Sequence, residues 1–465
     1  MKQTIKQKTL ACTLAAAAIA AVAAGYVQAD DKAANTADSK ADNAVTVVTN
    51  NRTLGPFTSI NLSVPFRVIV TAQGGNSIEL SGPHKKLAAI DISVSGDTLT
   101  VRQPRKKTSG WNFNFNWNDD NKSQVTVRIN AATLKSLRTG GSGDVDLQRF
   151  DGAALSLTSE GAGDVHASGT VQALTVTSSG SGDIELRGLK AGSLNVISNG
   201  PGDITAAGVT RDLTIAVNGP GDLDIGDINA GKVNATMHGP GSVTLRGNAR
   251  EIRAEVAGPG DLDACGLHIE AASAMVHGPG EACIAGKIKK LDAEVHGSGD
   301  LTVRGLQAQA VRATLSGPGN MTLSGSVAAL NAEVSGSGDL DAKMLQVARA
   351  ATRSSGPGNI YLSKVSDTLD ADVGGPGDLT ATADCKSVRL NMHGPGEVKL
   401  DGKTATLTAQ LSGSGNLNAR QLWTGQADVV VRGPGNAVVN INGGTADHAR
   451  LVTYERSGMR EKTSN

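Results

Sequence analysis

Aromatic side chains are scarce in this chain, making up 2% of its 465 residues, whereas glycine occurs 58 times. So few rings favour a thin core of Val, Leu, Ile and Ala over a thick globular one. A net charge is also missing, because 44 Lys and Arg balance 44 Asp and Glu. Since such a balance offers no basic field for phosphate backbones, we do not expect nucleic acid as a partner.

Signature motifs of common enzyme classes are absent as well. The sequence has no His-Glu-x-x-His zinc motif, no Gly-x-Ser-x-Gly elbow and no Walker loop. We therefore predict a protein that is not an enzyme, with no catalytic residues, no cofactor and no metal site.

Long apolar runs are missing beyond the amino terminus. Residues 1–29 are typical of a secretory signal, with Lys2, Lys6 and Lys8, an apolar stretch from Leu10 to Ala24, and a small residue, Ala29, at the cleavage site. An uncleaved anchor is disfavoured because that stretch has only 15 residues. We expect export to the periplasm, the cell surface or the medium, with no integral membrane segment after cleavage. Residues 30–44 are predicted to form a flexible lead-in.

Cysteine is rare too, with three residues left after cleavage of the signal. Cys265 and Cys283 fall in neighbouring repeats, where a regular strand pairing would offset them diagonally. That offset disfavours a disulfide between them, although export permits one. Cys385 is predicted to be a lone thiol.

What the chain has in abundance is a Gly-x-Gly motif, present in sixteen copies from Gly141 to Gly433 at steps that mostly alternate between 20 and 19 residues. The middle residue is Pro in ten copies, and the second glycine is present in all of them. This pattern predicts a type II turn, with the second glycine at positive φ.

Between the turns, apolar and polar residues alternate. After the turn at Gly219, the residues Leu223, Ile225 and Val233 are expected to point inward, and Asp224 and Asn234 outward. A fixed period of this length is typical of stacked coils. We therefore predict an all-β fold, a single-stranded parallel β-solenoid (β-helix) of about sixteen coils of 19 or 20 residues. We expect right-handed winding because parallel crossovers favour it.

The solenoid is predicted over residues 140–440. Residues 45–139 alternate as strands do but lack the Gly-x-Gly motif, so they are predicted to form a β-rich amino-terminal cap. Residues 441–465 are predicted to form a carboxyl-terminal cap and polar tail.

Two stretches carry a family resemblance. Phe57–Leu62, and Leu134–Thr139 running into Gly-Ser-Gly-Asp, resemble the head GIN domain family, which is labelled an auto-transporter adhesin. The resemblance covers most of the mature chain, which extends the family's second half with extra coils. It implies an exported adhesive protein. An auto-transporter carries its membrane translocator at the carboxyl end, where this chain has the polar stretch Arg456–Lys462, so we expect adhesion without self-transport.

The residue after each turn is Asp in nine copies, Asn in four, Glu in two and Ser in one. Calcium-binding β-rolls repeat every nine residues, whereas the spacing here is 19 or 20 and Asn often replaces Asp. We predict that this column caps the corners. Histidines before the turns, such as His277 and His296 in adjacent coils, are predicted to stack on the surface, because two imidazoles alone make a weak metal site.

The candidate partner-binding residues are Trp111, Phe113, Phe115 and Trp117, which would face one side of an extended strand while the intervening Asn residues face the other. They would either close the end of the cap or form an exposed aromatic platform for a glycan or protein.

Two functions remain open. The chain is either a non-enzymatic β-solenoid for surface adhesion or envelope scaffolding, with a surface protein or glycan as partner, or a β-helix protein that degrades or binds polysaccharide. Uniform coils favour the first.

Overall fold

The fold is described by a computed structural model over residues 47–104, 125–441 and 453–454. Its amino-terminal part has one short helix, α1 (His84–Leu87), and several short strands. They are β1 (Val47–Thr53), β2 (Ser59–Ser63), β3 (Val68–Thr71), β4 (Ser77–Pro83), β5 (Asp91–Ser95), β6 (Thr98–Arg102), β7 (Thr126–Asn130) and β8 (Ser136–Thr139). No helix in the described ranges is long and apolar enough to cross a membrane.

The repeated part consists of longer strands, most of them continuous through a whole coil. They are β9 (Val145–Ser159), β10 (Val165–Ser178), β11 (Ile184–Ser198), β12 (Ile204–Ala207), β13 (Val209–Val217), β14 (Leu223–Met237), β15 (Val243–Val256), β16 (Leu262–Val276), β17 (Ala282–Val295), β18 (Leu301–Leu315), β19 (Met321–Val334), β20 (Leu340–Ser354), β21 (Ile360–Val373), β22 (Leu379–Met392), β23 (Glu397–Leu411), β24 (Asn416–Val431), β25 (Asn436–Ile441) and β26 (Thr453–Tyr454).

Equivalent strands of successive coils pair in parallel. Leu223 of β14 lies opposite Val243 of β15, which lies opposite Leu262 of β16. The stack makes about 15 turns. It continues into the amino-terminal part, because β2 pairs in parallel with β8 and β3 with β9. The predicted parallel β-solenoid is confirmed.

The core is a narrow column between the strands. Leu223, Ile225 and Val233 are each at most 1% exposed, as the alternation predicts, whereas Asp224 and Asn234 of the same coil are partly exposed. Because each inward position repeats in every coil, aliphatic side chains fill most of the column, and the buried rings of Phe57 and Phe150 lie near its amino-terminal end.

The Gly-x-Gly corners differ from the type II turns that the pattern predicts. From Gly143 to Gly435, the second glycine has φ outside the left-handed region in every copy. A Cβ added at Gly221 would lie 2.9 Å from the carbonyl carbon of Gly202 in the preceding coil, and nearer still to its oxygen. The type II prediction is wrong, because glycine is needed here for the close stacking of coils.

Positive φ occurs at a second corner, in the middle of many coils. Asp227 has φ 50° and Gly247 has φ 134°. The pairing of β14 with β15 shifts register at this point, between Ile225 and Ile228. Two residues of the longer coil then face one of the shorter coil, which is a β-bulge. This bulge accounts for the alternation of 20- and 19-residue coils.

The expectation that Cys265 and Cys283 stay unpaired is wrong. They form a disulfide with their Cα atoms 5.3 Å apart, a distance that suits such a bond. Asp263 lies opposite Cys283, but the register of β16 and β17 shifts after Ala264 and resumes only at His268. Cys265 sits in this bulge, so the diagonal offset of a regular pairing does not apply to it. Cys385 is free, as predicted, and its side chain is buried.

Candidate functional site

The aromatic residues predicted to bind a partner, Trp111, Phe113, Phe115 and Trp117, lie outside the described residues. Their role stays a prediction. The other features that the sequence singles out are described, and they separate into structural columns and a cleft.

The acidic column after the turns is structural, as predicted. Oδ1 of Asp164 accepts a hydrogen bond from the backbone N–H of Asp183 at 2.9 Å, and Oδ1 of Asp183 accepts one from Asp203 at 2.9 Å. The same bond joins nine further pairs along the column. Each side chain therefore supplies the acceptor that the backbone of the next coil lacks at this corner.

The hydrogen bonds of the column are interrupted after Ser242 and after Glu281, because these side chains differ in length from Asp. Among the described residues, the N–H of Asp261 has no bond to Ser242, and that of Asp300 has none to Glu281. Ser is shorter and Glu longer than Asp, so neither places an oxygen where Oδ1 would be. After Glu397 the N–H of Asn416 donates to the backbone oxygen of Gly396 instead, at 3.2 Å.

The histidine column also matches its prediction. The rings of His277 and His296 stack with centroids 5.2 Å apart and planes 9° from parallel. His296 also contacts Ser316 through Nδ1 at 2.6 Å and Glu294 through Nε2 at 3.1 Å. Both ring nitrogens of His296 are thus engaged by neighbouring side chains.

Residues that could hold a metal come together once in the part of the chain that the structure describes. Asp263, Cys265 and Cys283 place their ligand atoms within 4.8 Å of one another. Both sulfur atoms are used by the disulfide. In this oxidised form the group offers only the carboxylate, which already accepts a hydrogen bond from the backbone of Cys265 at 3.0 Å.

A cleft of about 740 Å³ opens at the second corner. We call it the lateral cleft. It runs across five successive coils and is lined by residues 229–231, 248–250, 265, 268–270, 285–287, 304 and 305.

Small residues hollow the floor of the lateral cleft. Ala230 and Ala249 are buried at 7% and 6% exposure, and Gly231, Gly286 and Gly305 add no side chains. Polar side chains stand on the rim: Asn229 lies opposite Asn248 in the strand pairing, and Asn248 lies opposite His268. The result is a trough with a largely apolar floor and a polar rim, whose amides can donate and accept hydrogen bonds.

Positive charge gathers at the lateral cleft. Arg250, Lys287 and Arg304 are exposed, and none of them has an ion-pair partner among the described residues. The one carboxylate of the lining, Glu270, pairs with Lys289 at 3.2 Å. Farther along the same face, by contrast, Lys386 pairs with Asp367 at 2.9 Å and holds the pKa of that carboxyl below its usual value.

The same face continues toward the carboxyl end. A second hollow, of about 560 Å³, lies at residues 307–309, 326–328, 346–348 and 366. Gln307, Ser326 and Gln346 are aligned there by the strand pairing. Trp423 follows in a later coil, 55% exposed and opposite Lys403.

This face was not predicted from the sequence, although the repeats carry a signal for it. Asn229, His268, Gln307, Gln346 and Trp423 each lie ten residues after the first glycine of their coil. A position that points outward and carries an amide or ring side chain in several repeats indicates a column of side chains on the surface. Its hollow could not be foreseen without the bulges that shape the second corner.

One family matches the chain. Its description is "Putative auto-transporter adhesin, head GIN domain", and it matches residues 56–225, 208–306, 285–382 and 365–447. No curated protein matches the chain.

Several crystal structures are similar to it in fold. A "putative adhesin" from Bacteroides fragilis has 23% identity and a TM-score of 0.35, covering 43% of this chain and 97% of its own. A "putative lipid binding protein" from Parabacteroides distasonis has 17% identity and a TM-score of 0.35, covering 64% and 97%. A "putative adhesin" from the same organism has 16% identity and a TM-score of 0.34, with the same two coverages.

Proposed function

Since the chain belongs to the head GIN domain family of auto-transporter adhesins, we propose that it is an exported, non-enzymatic attachment protein. In this proposal the lateral cleft holds an extended partner at the cell surface or in the envelope. A role in envelope scaffolding would use the same contact.

The observation that carries the proposal is the shape of the lateral cleft. It is open, it follows the stacking direction across five coils, and its rim is polar while its floor is made of small residues. A long, open trough with polar groups along its rim suits a chain that lies along it and exchanges hydrogen bonds with successive coils.

The alternative is a polysaccharide-degrading enzyme. Such an enzyme needs a general acid and a base or nucleophile within reach of one bond. In the lining of the lateral cleft Glu270 is the single carboxylate, and it is engaged by Lys289. This arrangement supports binding in preference to cleavage.

Attachment can be tested with the purified protein on plates coated with collagen, fibronectin, dextran, polygalacturonate or dextran sulfate. We expect retention on at least one of these surfaces. The variant Asn248→Trp fills the lateral cleft and should abolish retention, whereas Asn331→Trp, an exposed Asn on another strand column, should not.

Two outcomes would contradict the proposal. One is an absence of retention on every surface, or retention that Asn248→Trp leaves unchanged although circular dichroism shows both variants folded. The other is the release of new reducing or unsaturated ends from a polysaccharide, which would support the enzymatic alternative.

A further inference from the structure

The charges of the lateral cleft define a ligand class more narrowly than its shape does. Resting on the attachment function above, we propose that the partner in the lateral cleft is an acidic polysaccharide, whose carboxylate or sulfate groups pair with Arg250, Lys287 and Arg304.

Among the described residues, the three cations of the lateral cleft are not paired with carboxylates. Elsewhere on the described surface some cations are paired with carboxylates two to 79 residues away in sequence, as Arg246 is with Asp224 and Arg67 is with Asp146. Arg250, Lys287 and Arg304 converge on one cleft and have no such partner. An incoming anionic group can therefore pair with these cations without breaking an existing ion pair.

The lateral cleft also offers little electrostatic repulsion to an anionic ligand. Glu270 is the one acidic group in the lining, and the Nζ of Lys289 lies 3.2 Å from its Oε2. Because Lys289 offsets this charge, the potential inside the lateral cleft is set by the three unpaired cations. The neutral overall charge of the chain does not weaken this argument, since screening confines such fields to about 10 Å at 0.1 M salt.

The spacing of the coils and the hydrogen-bonding groups on the rim also suit a polysaccharide. Coils repeat every ~4.8 Å, which is close to the rise of one sugar in an extended polysaccharide. Arg250, Lys287 and Arg304 stand on β15, β17 and β18, so they meet anionic groups on a chain that advances about one sugar per coil. Asn229 and Asn248 on the rim can bond the sugar hydroxyls in between.

Nucleic acid is the competing polyanion. Single strands bind by stacking their bases on aromatic side chains, and the lining of the lateral cleft contains no Phe, Tyr or Trp. The hydroxyl groups of a sugar, by contrast, can form hydrogen bonds with the amides at the rim. The observations therefore favour the polysaccharide.

The test compares binding of the purified protein to polygalacturonate, dextran sulfate, dextran and a single-stranded DNA oligonucleotide. We expect binding to one or both acidic polysaccharides that weakens as salt rises from 0.05 to 0.5 M. The double variant Arg250→Glu/Lys287→Glu should bind about tenfold more weakly. The control Arg312→Glu/Lys399→Glu makes the same change of charge on other columns and should bind as the parent does.

Each other outcome has a defined meaning. Equal binding to dextran, tighter binding to DNA, or equal losses in the two double variants would overturn the acidic polysaccharide as ligand. If Asn248→Trp abolishes attachment to collagen or dextran while Arg250→Glu/Lys287→Glu does not, the attachment function stands and this inference fails. Retention on no surface overturns both.

Discussion

At the scale of single residues, the Asp side chains after the corners act as part of the backbone. Oδ1 of Asp183 accepts the N–H of Asp203, and Oδ1 of Asn320 does the same for Asp339 at 3.0 Å. An amide oxygen therefore serves as well as a carboxylate, which explains why Asn and Asp alternate in this column without loss of the bond.

We expect Asp183→Ala to lower the free energy of unfolding by about 1 kcal/mol, because the N–H of Asp203 loses its acceptor. Asp183→Asn should be nearly neutral. Urea unfolding followed by circular dichroism measures the change, and hydrogen exchange at the Asp203 amide localises it. Glu281→Ala is the matched control, since no N–H depends on that side chain. Equal effects of Asp183→Ala and Glu281→Ala would refute the backbone role.

The glycines of the corners are required by contact between coils. Gly221→Ala should destabilise the protein by about 2 kcal/mol, because a Cβ there meets the carbonyl group of Gly202. Gly226→Ala should be tolerated, since nothing lies within 4 Å of the added Cβ. Pro220→Ser should be mild, because five other copies have Ser at this position. Thermal melting of the three variants checks the order, and a harmless Gly221→Ala would show that coils can move apart.

Ser354 is a polar residue in an apolar column. It is 1% exposed, its Oγ has no hydrogen-bond partner, and Val334 and Val373 flank it in the strand pairing. We expect Ser354→Val to stabilise the protein by about 1 kcal/mol, because a buried hydroxyl without a partner is costly. The exposed neighbour Ser355 gives the control Ser355→Val. Destabilisation by Ser354→Val in urea would indicate a bound water or a volume limit at this site.

Burial raises the pKa of the Cys385 thiol above its ordinary value. The thiolate is the reactive form, so a raised pKa keeps the thiol protonated and slows alkylation at neutral and mildly alkaline pH. We expect iodoacetamide to modify Cys385 far more slowly in the folded protein than in urea at pH 8.5, with the folded rate rising only at higher pH. Equal rates in the two states would show that the thiol is accessible.

At the scale of elements, the β-bulges at the second corner decide features that strand periodicity cannot. A regular pairing of β16 with β17 would leave Cys265 and Cys283 diagonal to each other, and the bulge after Ala264 brings them together. The alternation of apolar residues predicts which side chains point inward. It does not predict where an extra residue leaves the pairing, because that choice depends on contacts with both neighbouring coils.

Removing the disulfide tests the consequence of this bulge. Cys265→Ser/Cys283→Ser should lower the free energy of unfolding by about 3 kcal/mol, since the bond closes a loop between residues 18 apart in sequence. A reducing agent should shift the melting curve of the parent toward that of the double variant and leave the variant unchanged. Cys385→Ser is the control. Identical curves for parent and double variant would show that the bond adds nothing to stability.

At the scale of the whole molecule, the repeat period was enough to predict the solenoid, because one short period with a fixed apolar pattern has few other solutions. The corners were not predictable to the same depth. In the sequence, a glycine at position 221 is compatible with a type II turn and with a close stack of coils. Only the φ angle in the structure distinguishes the two explanations. The lateral cleft escaped prediction because Asn229, Arg250 and Lys287 are ordinary surface residues in sequence and become neighbours only when coils stack.

The side-chain hydrogen bonds of the corner column fall into three runs along the solenoid. Five bonds link the coils from Asp144 to Ser242, one links Asp261 to Glu281, and five link Asp300 to Glu397. In a repeat protein, stability is a sum over neighbouring units, and each of the two gaps removes one side-chain bond from the contact between neighbouring coils. The short middle run links the pair of coils joined by Cys265 and Cys283, and the lateral cleft is built across it. A covalent bond thus joins the two coils that have the fewest side-chain hydrogen bonds of this column to their neighbours.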